Sequence, residues 1–364
     1  PRCIMIMAGG TGGHVYPGLA VANALRDLGW RVVWLGTRAG LEAKLVPAAG
    51  IEIVWLKFGG VRGKGLLRMV WLPLQMVIAF IQSARAIFKH RPDVVLGLGG
   101  YTAFPGGMMA SLFNRPLVIH EQNSIGGLTN RVLVCLADKV LVAFPAAFNG
   151  PKDKPIPCRQ VALECCGNPV RTDIAALLEP AARMQSRSGN LRVLVVGGSL
   201  GAQALNDAVP RALKLIDAAA RPEVVHQAGL KHIDQLKANY AEAGVSAEVL
   251  AFIDDMAVRY AWCDVVVCRA GALTIAELAA AGVASVLVPF PQAVDDHQTT
   301  NAHYLSEAGA AVLLPQTELT PQKLAQLLRE FTREKLLAMA QQARALAKPD
   351  ATRRVAQVCM ELAA

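Results

Sequence analysis

Each half of this chain opens with a short apolar run that ends in a glycine turn and passes directly into a helical pattern, an arrangement that few folds accommodate. Ile4–Met7 leads into Gly9-Gly10-Thr11-Gly12-Gly13-His14, after which Leu19, Ala22, Ala24 and Leu25 fall on helical spacing as far as Gly29. Leu191–Val196 leads into Gly197-Gly198-Ser199 and a helix through Ala204 and Leu205. Apolar runs recur at Val32–Leu35, Ile51–Leu56, Val94–Leu96, Leu117–Ile119 and Val140–Val142, then at Val224–Val225, Val249–Phe252, Val265–Val267, Ser285–Val288 and Ala311–Leu314. Runs apolar on both faces and alternating with helices indicate parallel strands covered on both sides. The expectation is α/β: two doubly wound, Rossmann-like domains facing a central cleft. Residues 1–166 form the first and 167–345 the second, with the changeover near Gly167-Asn168-Pro169. Lys335–Leu362 reads as helix broken at Pro349, its last part (residues 346–364) returning to the first domain.

The chain has 364 residues, 53% hydrophobic and 18% charged, which suits two ordinary cores and excludes disorder. A formal net charge of +9 favours anionic partners: phosphates, nucleic acid or an acidic membrane face. Aromatic residues at 5% and scattered Lys and Arg weigh against nucleic acid. The eight cysteines show no C-x-x-C pair, and Cys165 and Cys166 are adjacent, so reduced thiols in a cytosolic protein are expected. Pro1-Arg2-Cys3-Ile4-Met5 runs straight into a strand and does not read as a signal peptide.

Glycines between a strand and a helix let backbone N–H groups point at an anion beside the positive end of the helix. A bare tight turn would look the same at one such loop, but Gly97–Gly100 and Gly197-Gly198 repeat the feature. A dinucleotide fingerprint fails because Val15 stands where the third glycine belongs and the second strand ends Gly36-Thr37-Arg38, without an acid. A P-loop fails because Gly63-Lys64-Gly65 has neither the hydroxyl nor a preceding strand. His14, among glycines at the carboxyl end of a strand, reads as a capping residue or as a proton acceptor. His120-Glu121-Gln122-Asn123 closes an apolar strand with polar groups suited to sugar hydroxyls, or with a solvated loop. Arg269-Ala270-Gly271-Ala272-Leu273-Thr274 opens a helix on which Thr274 and Glu277 share a face.

Taken together these stretches resemble the MurG family of bacterial peptidoglycan glycosyltransferases, of GT-B fold. The resemblance rests on Gly9 through Ala20, Gly99-Gly100-Tyr101, His120-Glu121-Gln122-Asn123, Leu128-Thr129-Asn130, Gly167-Asn168-Pro169-Val170-Arg171, Gly197-Gly198-Ser199, Phe252-Ile253-Asp254-Asp255-Met256, Arg269 through Glu277 and Asp296 through Ala302. They occur in the family order and cover nearly the whole chain. The resemblance implies an N-acetylglucosaminyltransferase that moves the sugar from UDP-N-acetylglucosamine to the C4 hydroxyl of the muramic acid in lipid I, giving lipid II for the cell wall. It also implies inversion at the anomeric carbon and no cofactor or metal; no D-x-D motif occurs.

By the same resemblance the second domain holds the donor. Ile253 would meet uracil through its backbone, Glu277 the ribose, and Arg171 and Ser199 the diphosphate, with the donor-binding turn at Leu273-Thr274 nearby. Gln298, Asn301 and the backbone of Ala272 would read the transferred sugar. The first domain would take the acceptor through Thr11, Gly12, Gly13, Tyr101, Asn123 and Asn130, with His14 or Glu121 as the catalytic base. Leu200 and Ala103 depart from the family, which often has Gln and Ser there. Met69–Ile81 is apolar but short, contains Pro73, and is flanked by Arg62, Lys64, Arg68, Arg85, Lys89 and Arg91. It reads as a core helix or, given a lipid-linked substrate, as an interfacial patch of Leu67, Trp71, Leu74, Ile78 and Phe80 on anionic phospholipid. That would place the protein peripherally on the cytoplasmic face of the bacterial inner membrane, beside other cell-wall and division proteins. A UDP-sugar 2-epimerase of the same fold and a non-catalytic nucleotide-sugar-binding scaffold are the alternatives. Consumption of donor without acceptor would mark the first, and binding without turnover the second.

Overall fold

The computed structural model describes residues 1–58, 66–150, 162–198, 201–293 and 296–363, with the side chains of residues 66–70 outside that description. The chain divides into two compact units, Pro1–Val170 with Pro349–Ala364, and Arg171–Lys348.

The first unit is built on a parallel sheet of seven strands: β1 (Cys3–Met7), β2 (Arg31–Gly36), β3 (Glu52–Trp55), β4 (Val94–Gly97), β5 (Leu117–Glu121), β6 (Lys139–Val142) and β7 (Leu163–Cys165). Their order is β3-β2-β1-β4-β5-β6-β7. The two-residue period of a strand sends successive side chains to opposite faces, and β1 uses both. Ile4 and Ile6 join a core with Val21, Leu25, Trp34 and the last helix. Cys3, Met5 and Met7 join another with Ala79, Ala86, Ile87, Ala103 and Ala110. Trp34 fits because Gly18 has no side chain: a Cβ there would stand 2.5 Å from the Trp34 ring. Its indole N–H donates to the Ala8 carbonyl at 2.8 Å.

The final helix, Ala351–Leu362, buries Val355, Val358 and Cys359 in the first unit's core. Such side chains contribute roughly 1.5–3 kcal/mol each for the larger ones when fully buried. Arg354 on the same helix grips Glu164 of β7 with both carboxylate oxygens engaged, Nη2 to Oε2 at 3.0 Å. Arginine's fork matches a carboxylate in this bidentate way.

The second unit carries six parallel strands: β8 (Arg192–Val196), β9 (Glu223–Gln227), β10 (Glu248–Leu250), β11 (Val265–Cys268), β12 (Ala284–Leu287) and β13 (Ala311–Leu313). Their order is β10-β9-β8-β11-β12-β13. Val193, Val195, Val265, Val267, Val286 and Leu205 lie in one core with the helices Gln203–Lys214 and Pro321–Glu330. Thr320 and Thr332 cap the last two helices of this unit, their hydroxyls accepting from Lys323 N and Lys335 N.

The structure differs from the sequence reading in four places. β7 is an edge strand of three residues with mixed polarity, too short to show a period. The first helix starts at Gly12, inside the Gly9–His14 segment that reads as a turn. The apolar segment after residue 65 belongs to a helix of 25 residues, Leu66–His90, longer than its purely apolar part. Cys135 is disulfide-bonded, while Cys3, Cys166, Cys263, Cys268 and Cys359 are free thiols.

Candidate active site

In a doubly wound sheet, ligands bind beyond the carboxyl ends of the strands where the strand order reverses. In the first sheet that point lies between β1 and β4, in the second between β8 and β11. The glycine turns after β1, β4 and β8 and the Arg269–Thr274 segment after β11 all stand there.

The turn after β4 is pressed against the one after β1: Gly100 has φ +77°, and a Cβ on it would lie 2.5 Å from the Gly9 carbonyl oxygen. Glu42, fully buried, holds the first turn from below by accepting from Gly10 N at 2.9 Å and Thr37 Oγ1 at 2.9 Å. Tyr101 joins this cluster through its hydroxyl, 3.0 Å from Thr37 Oγ1. The helix Gly12–Asp27 begins with no side-chain cap from Thr11 and no acidic residue in its first turn, so neither offsets its positive end.

His14 and the polar cluster after β5 meet. His14 Nδ1 lies 2.8 Å from Gln122 Oε1, Gln122 Nε2 lies 3.0 Å from His120 Nδ1, and His120 Nε2 lies 2.9 Å from the Gly167 carbonyl. His120 is fully buried, and that burial pushes its pKa down to about 4, so it is neutral. Glu121, 1% exposed, spends its carboxylate on the loop beneath it. Oε1 accepts from Asn123 N at 2.9 Å and Asn123 Nδ2 at 3.3 Å; Oε2 accepts from Gly127 N at 3.0 Å and Asn130 Nδ2 at 2.8 Å. The buried Asn130 Oδ1 has no hydrogen-bond partner among the described residues.

In the second unit, Glu277 accepts from Arg171 Nη2 at 3.3 Å and from the Tyr260 hydroxyl at 3.1 Å. Burial raises its pKa, and Arg171 and Tyr260 pull in the opposite direction. Arg171 and Glu277, expected to hold different parts of one ligand, are thus paired with each other. Ile253 N donates to Gln227 Oε1 at 3.1 Å while Gln227 Nε2 donates to the Gly198 carbonyl at 2.8 Å. Gln227 therefore couples the Ile253 loop to the glycine turn after β8. Gln298 Oε1 accepts from Ala270 N and Phe290 N, and the buried Asn301 donates to the Ala270 carbonyl. Ala272, Leu273 and Thr274 form the opening turn of the helix Ala272–Ala281. Ser199 and Leu200 lie outside the described residues.

The sequence reading passed over Gln227, Tyr260 and Glu42. Polar side chains at the ends of apolar strands were the available signal for Gln227, as for His120. Nothing in the sequence pairs Glu42 with a loop 32 residues away.

Trp71, Leu74, Val77, Ile81 and Phe88 on the helix Leu66–His90 are 46–61% exposed, and their spacing puts them along one side. Ile78 and Phe80 are half-buried, the Phe80 ring centroid lying 5.9 Å from that of Phe104. The side chain of Leu67 lies outside the described residues. The stretch Trp71–His90 is long and apolar enough to cross a membrane by length and composition alone, but its other face packs Ala79, Ala86 and Ile87 into the first unit's core.

Two parallel sheets, each with phosphate-suited turns at its switch point, define the GT-B class of nucleotide-sugar enzymes. The family models of the glycosyltransferase family 28 N-terminal and C-terminal domains match residues 4–142 and 192–355. A UDP-N-acetylglucosamine--N-acetylmuramyl-(pentapeptide) pyrophosphoryl-undecaprenol N-acetylglucosamine transferase of Thiobacillus denitrificans is 64% identical over 362 residues, covering 100% of this chain and 98% of the relative. The enzyme of that name from Dechloromonas aromatica is 58% identical over 363 residues, covering 100% and 99%. The crystal structure of Acinetobacter baumannii MurG superposes with a TM-score of 0.84 at 39% identity, covering 99% of this chain and 100% of that one. The Neisseria meningitidis UDP-GlcNAc 2-epimerase, at 11% identity and a TM-score of 0.67, shares the fold alone. This chain belongs to glycosyltransferase family 28 and is a hexosyltransferase.

Proposed function

We infer that the protein transfers N-acetylglucosamine from UDP-N-acetylglucosamine to the C4 hydroxyl of MurNAc-pentapeptide in lipid I, forming lipid II, by an inverting, metal-independent displacement with His14 as base. The observation that carries the reading is His14 itself. It sits in the glycine turn at the first sheet's switch point, braced through Nδ1 by Gln122. Glu121 is a poor rival, because four N–H contacts already occupy its two oxygens.

In this reading the acceptor hydroxyl gives its proton to His14 as its oxygen attacks the anomeric carbon from the face opposite UDP. Negative charge then grows on the departing diphosphate, where Arg171, Ser199 and the N–H groups opening the helix Ala272–Ala281 offset it. Loss of one such donor costs roughly 3 kcal/mol, a rate loss on the order of 100-fold. Glu277 accepts from the ribose, the Ile253 carbonyl reads uracil, and Gln298 and Asn301 read the sugar. Thr11, Gly12, Gly13, Tyr101, Asn123 and Asn130 surround the acceptor, with Asn130 Oδ1 as a waiting acceptor atom. The exposed stripe from Trp71 to Phe88 rests on anionic phospholipid at the cytoplasmic face of the inner membrane. Because the opposite face of that helix is part of the core, spanning the bilayer would require pulling the helix off the sheet.

The test is turnover of radiolabelled UDP-N-acetylglucosamine with and without a short-chain lipid I analogue, for wild type and His14→Ala, in EDTA. Acceptor-dependent transfer with β-linked product, and a kcat loss of about 10²-fold or more in the variant with donor affinity kept, is expected. Donor consumed without acceptor, a requirement for added metal, or a fully active variant would each overturn part of the reading.

A further inference from the structure

We propose that Gln122 and His120 are positioning residues that fix the tautomer of His14, so that Nδ1 carries the hydrogen and Nε2 presents the lone pair. The proposal rests on the reading of His14 as base and deepens it. All members of the chain of contacts belong to the first unit.

The assignment starts from two carbonyl oxygens, which can only accept. The Gly167 carbonyl lies 2.9 Å from His120 Nε2, so that nitrogen bears a hydrogen. A neutral imidazole has one N–H, so His120 Nδ1 is an acceptor. Gln122 Nε2 lies 3.0 Å from His120 Nδ1 and 2.8 Å from the His120 carbonyl. An amide NH2 has two hydrogens for these two acceptors, whereas an amide oxygen would face lone pairs on both. The amide is therefore fixed with Oε1 toward His14, 2.8 Å from Nδ1. That oxygen accepts only, so His14 Nδ1 donates and Nε2 is left basic. The reverse tautomer would set a nitrogen lone pair against the Gln122 oxygen.

Two further contacts keep the chain in register. Asn168 Nδ2 donates to the Gln122 carbonyl at 3.0 Å, tying the cluster after β5 to the segment that also supplies Gly167. Gly99, at φ +94°, lies flat beside the imidazole: a Cβ on it would be 3.1 Å from His14 Cε1 and 3.3 Å from Nδ1. The ring is confined on that side by the second glycine turn. A base that must take a proton from a sugar hydroxyl gains from such bracing, since the wrong nitrogen would present a hydrogen to a hydrogen.

The direct test is the tautomer of His14 in the full-length protein labelled with 15N-histidine, read from long-range 1H–15N correlation spectra at pH 8 and assigned with His14→Gln. Wild type is expected to show a protonated Nδ1 and a bare Nε2. Gln122→Met is expected to lose that single tautomer and about 10-fold or more in kcat, with KM for UDP-N-acetylglucosamine within about 2-fold. A wild-type His14 protonated on Nε2 overturns the relay, even where His14→Ala is inactive. An unchanged tautomer and kcat in Gln122→Met overturn it too. Full kcat in His14→Ala overturns the base reading and the positioning role with it, whatever tautomer is found.

Discussion

Replacing Glu121 by Gln separates a catalytic carboxylate from one that holds a loop. In the structure each carboxylate oxygen receives two N–H groups, from Asn123 on one side and from Gly127 and Asn130 on the other. A carboxamide keeps one oxygen and turns the other into an NH2, which meets two buried donors as a third. Leaving a buried donor unpaired costs about 1–3 kcal/mol, so the pair costs about 2–6 kcal/mol, a large share of a domain's typical 5–15 kcal/mol. At about 2–4 °C per kcal/mol for a unit of this size, the first unit should melt on the order of 10 °C lower. Four of the five tryptophans (Trp30, Trp34, Trp55 and Trp71) lie in that unit, so intrinsic fluorescence follows its unfolding. Below the lowered transition, kcat should stay within about 10-fold of wild type, because no proton is transferred to Glu121. A variant with unchanged melting and a kcat reduced about 10²-fold or more would refute the reasoning and make Glu121 the base.

Three further outcomes follow from the packing and the charges. His226, buried between Tyr240 and Asn206, has its pKa pushed down to about 3 by desolvation. With an unfolded value near 6.5, the unfolded chain binds the extra proton, so stability is whole above about pH 6.5 and falls as pH drops toward 3. Between pH 8 and pH 5 the second unit should lose about 2 kcal/mol through this residue, read by urea titration on Trp262 fluorescence, and His226→Gln should flatten the loss. Val355→Ala removes two methyl groups from a fully buried site on the last helix and should cost the first unit about 2 kcal/mol, leaving the Trp262 transition in place. Trp71→Ser with Val77→Ser should weaken binding to anionic vesicles on the order of 10-fold or more without changing UDP-sugar affinity; unchanged vesicle binding would remove the interfacial reading.

The architecture was legible because buried parallel strands are apolar on both faces, which left twelve of the thirteen strands among the described residues visible as runs. β7 was not, since Leu163, Glu164 and Cys165 form an edge held by pairing to β6 and by Arg354 from a distant helix. Both glycine turns of the first unit were visible for the same physical reason that they work: positions such as Gly99 and Gly100 need φ near +94° and +77°, and Gly100 has no room for a Cβ. What sequence withheld was pairing across distance. His14 and Gln122 are 108 positions apart, and Arg171 and Glu277 are 106 apart, so no local spacing announces either contact. The two candidate bases also looked equal as residue types. Only the four donors around Glu121, against the single braced nitrogen of His14, distinguish them.

The same contrast suggests where a shared fold parts into different reactions. In the second unit the polar side chains at the switch point are largely spent on backbone. Gln227 bridges Ile253 to Gly198, Gln298 gathers two N–H groups, and Asn301 holds Ala270. Such bonds shape a rigid surface of carbonyls and helix-opening N–H groups, suited to a nucleotide diphosphate and indifferent to what is done with it. In the first unit the chain from Gly167 through His120 and Gln122 ends on an imidazole nitrogen. The reaction-determining groups are therefore to be sought in the first unit, and a protein sharing only the fold, as the 2-epimerase does at 11% identity, need share none of them.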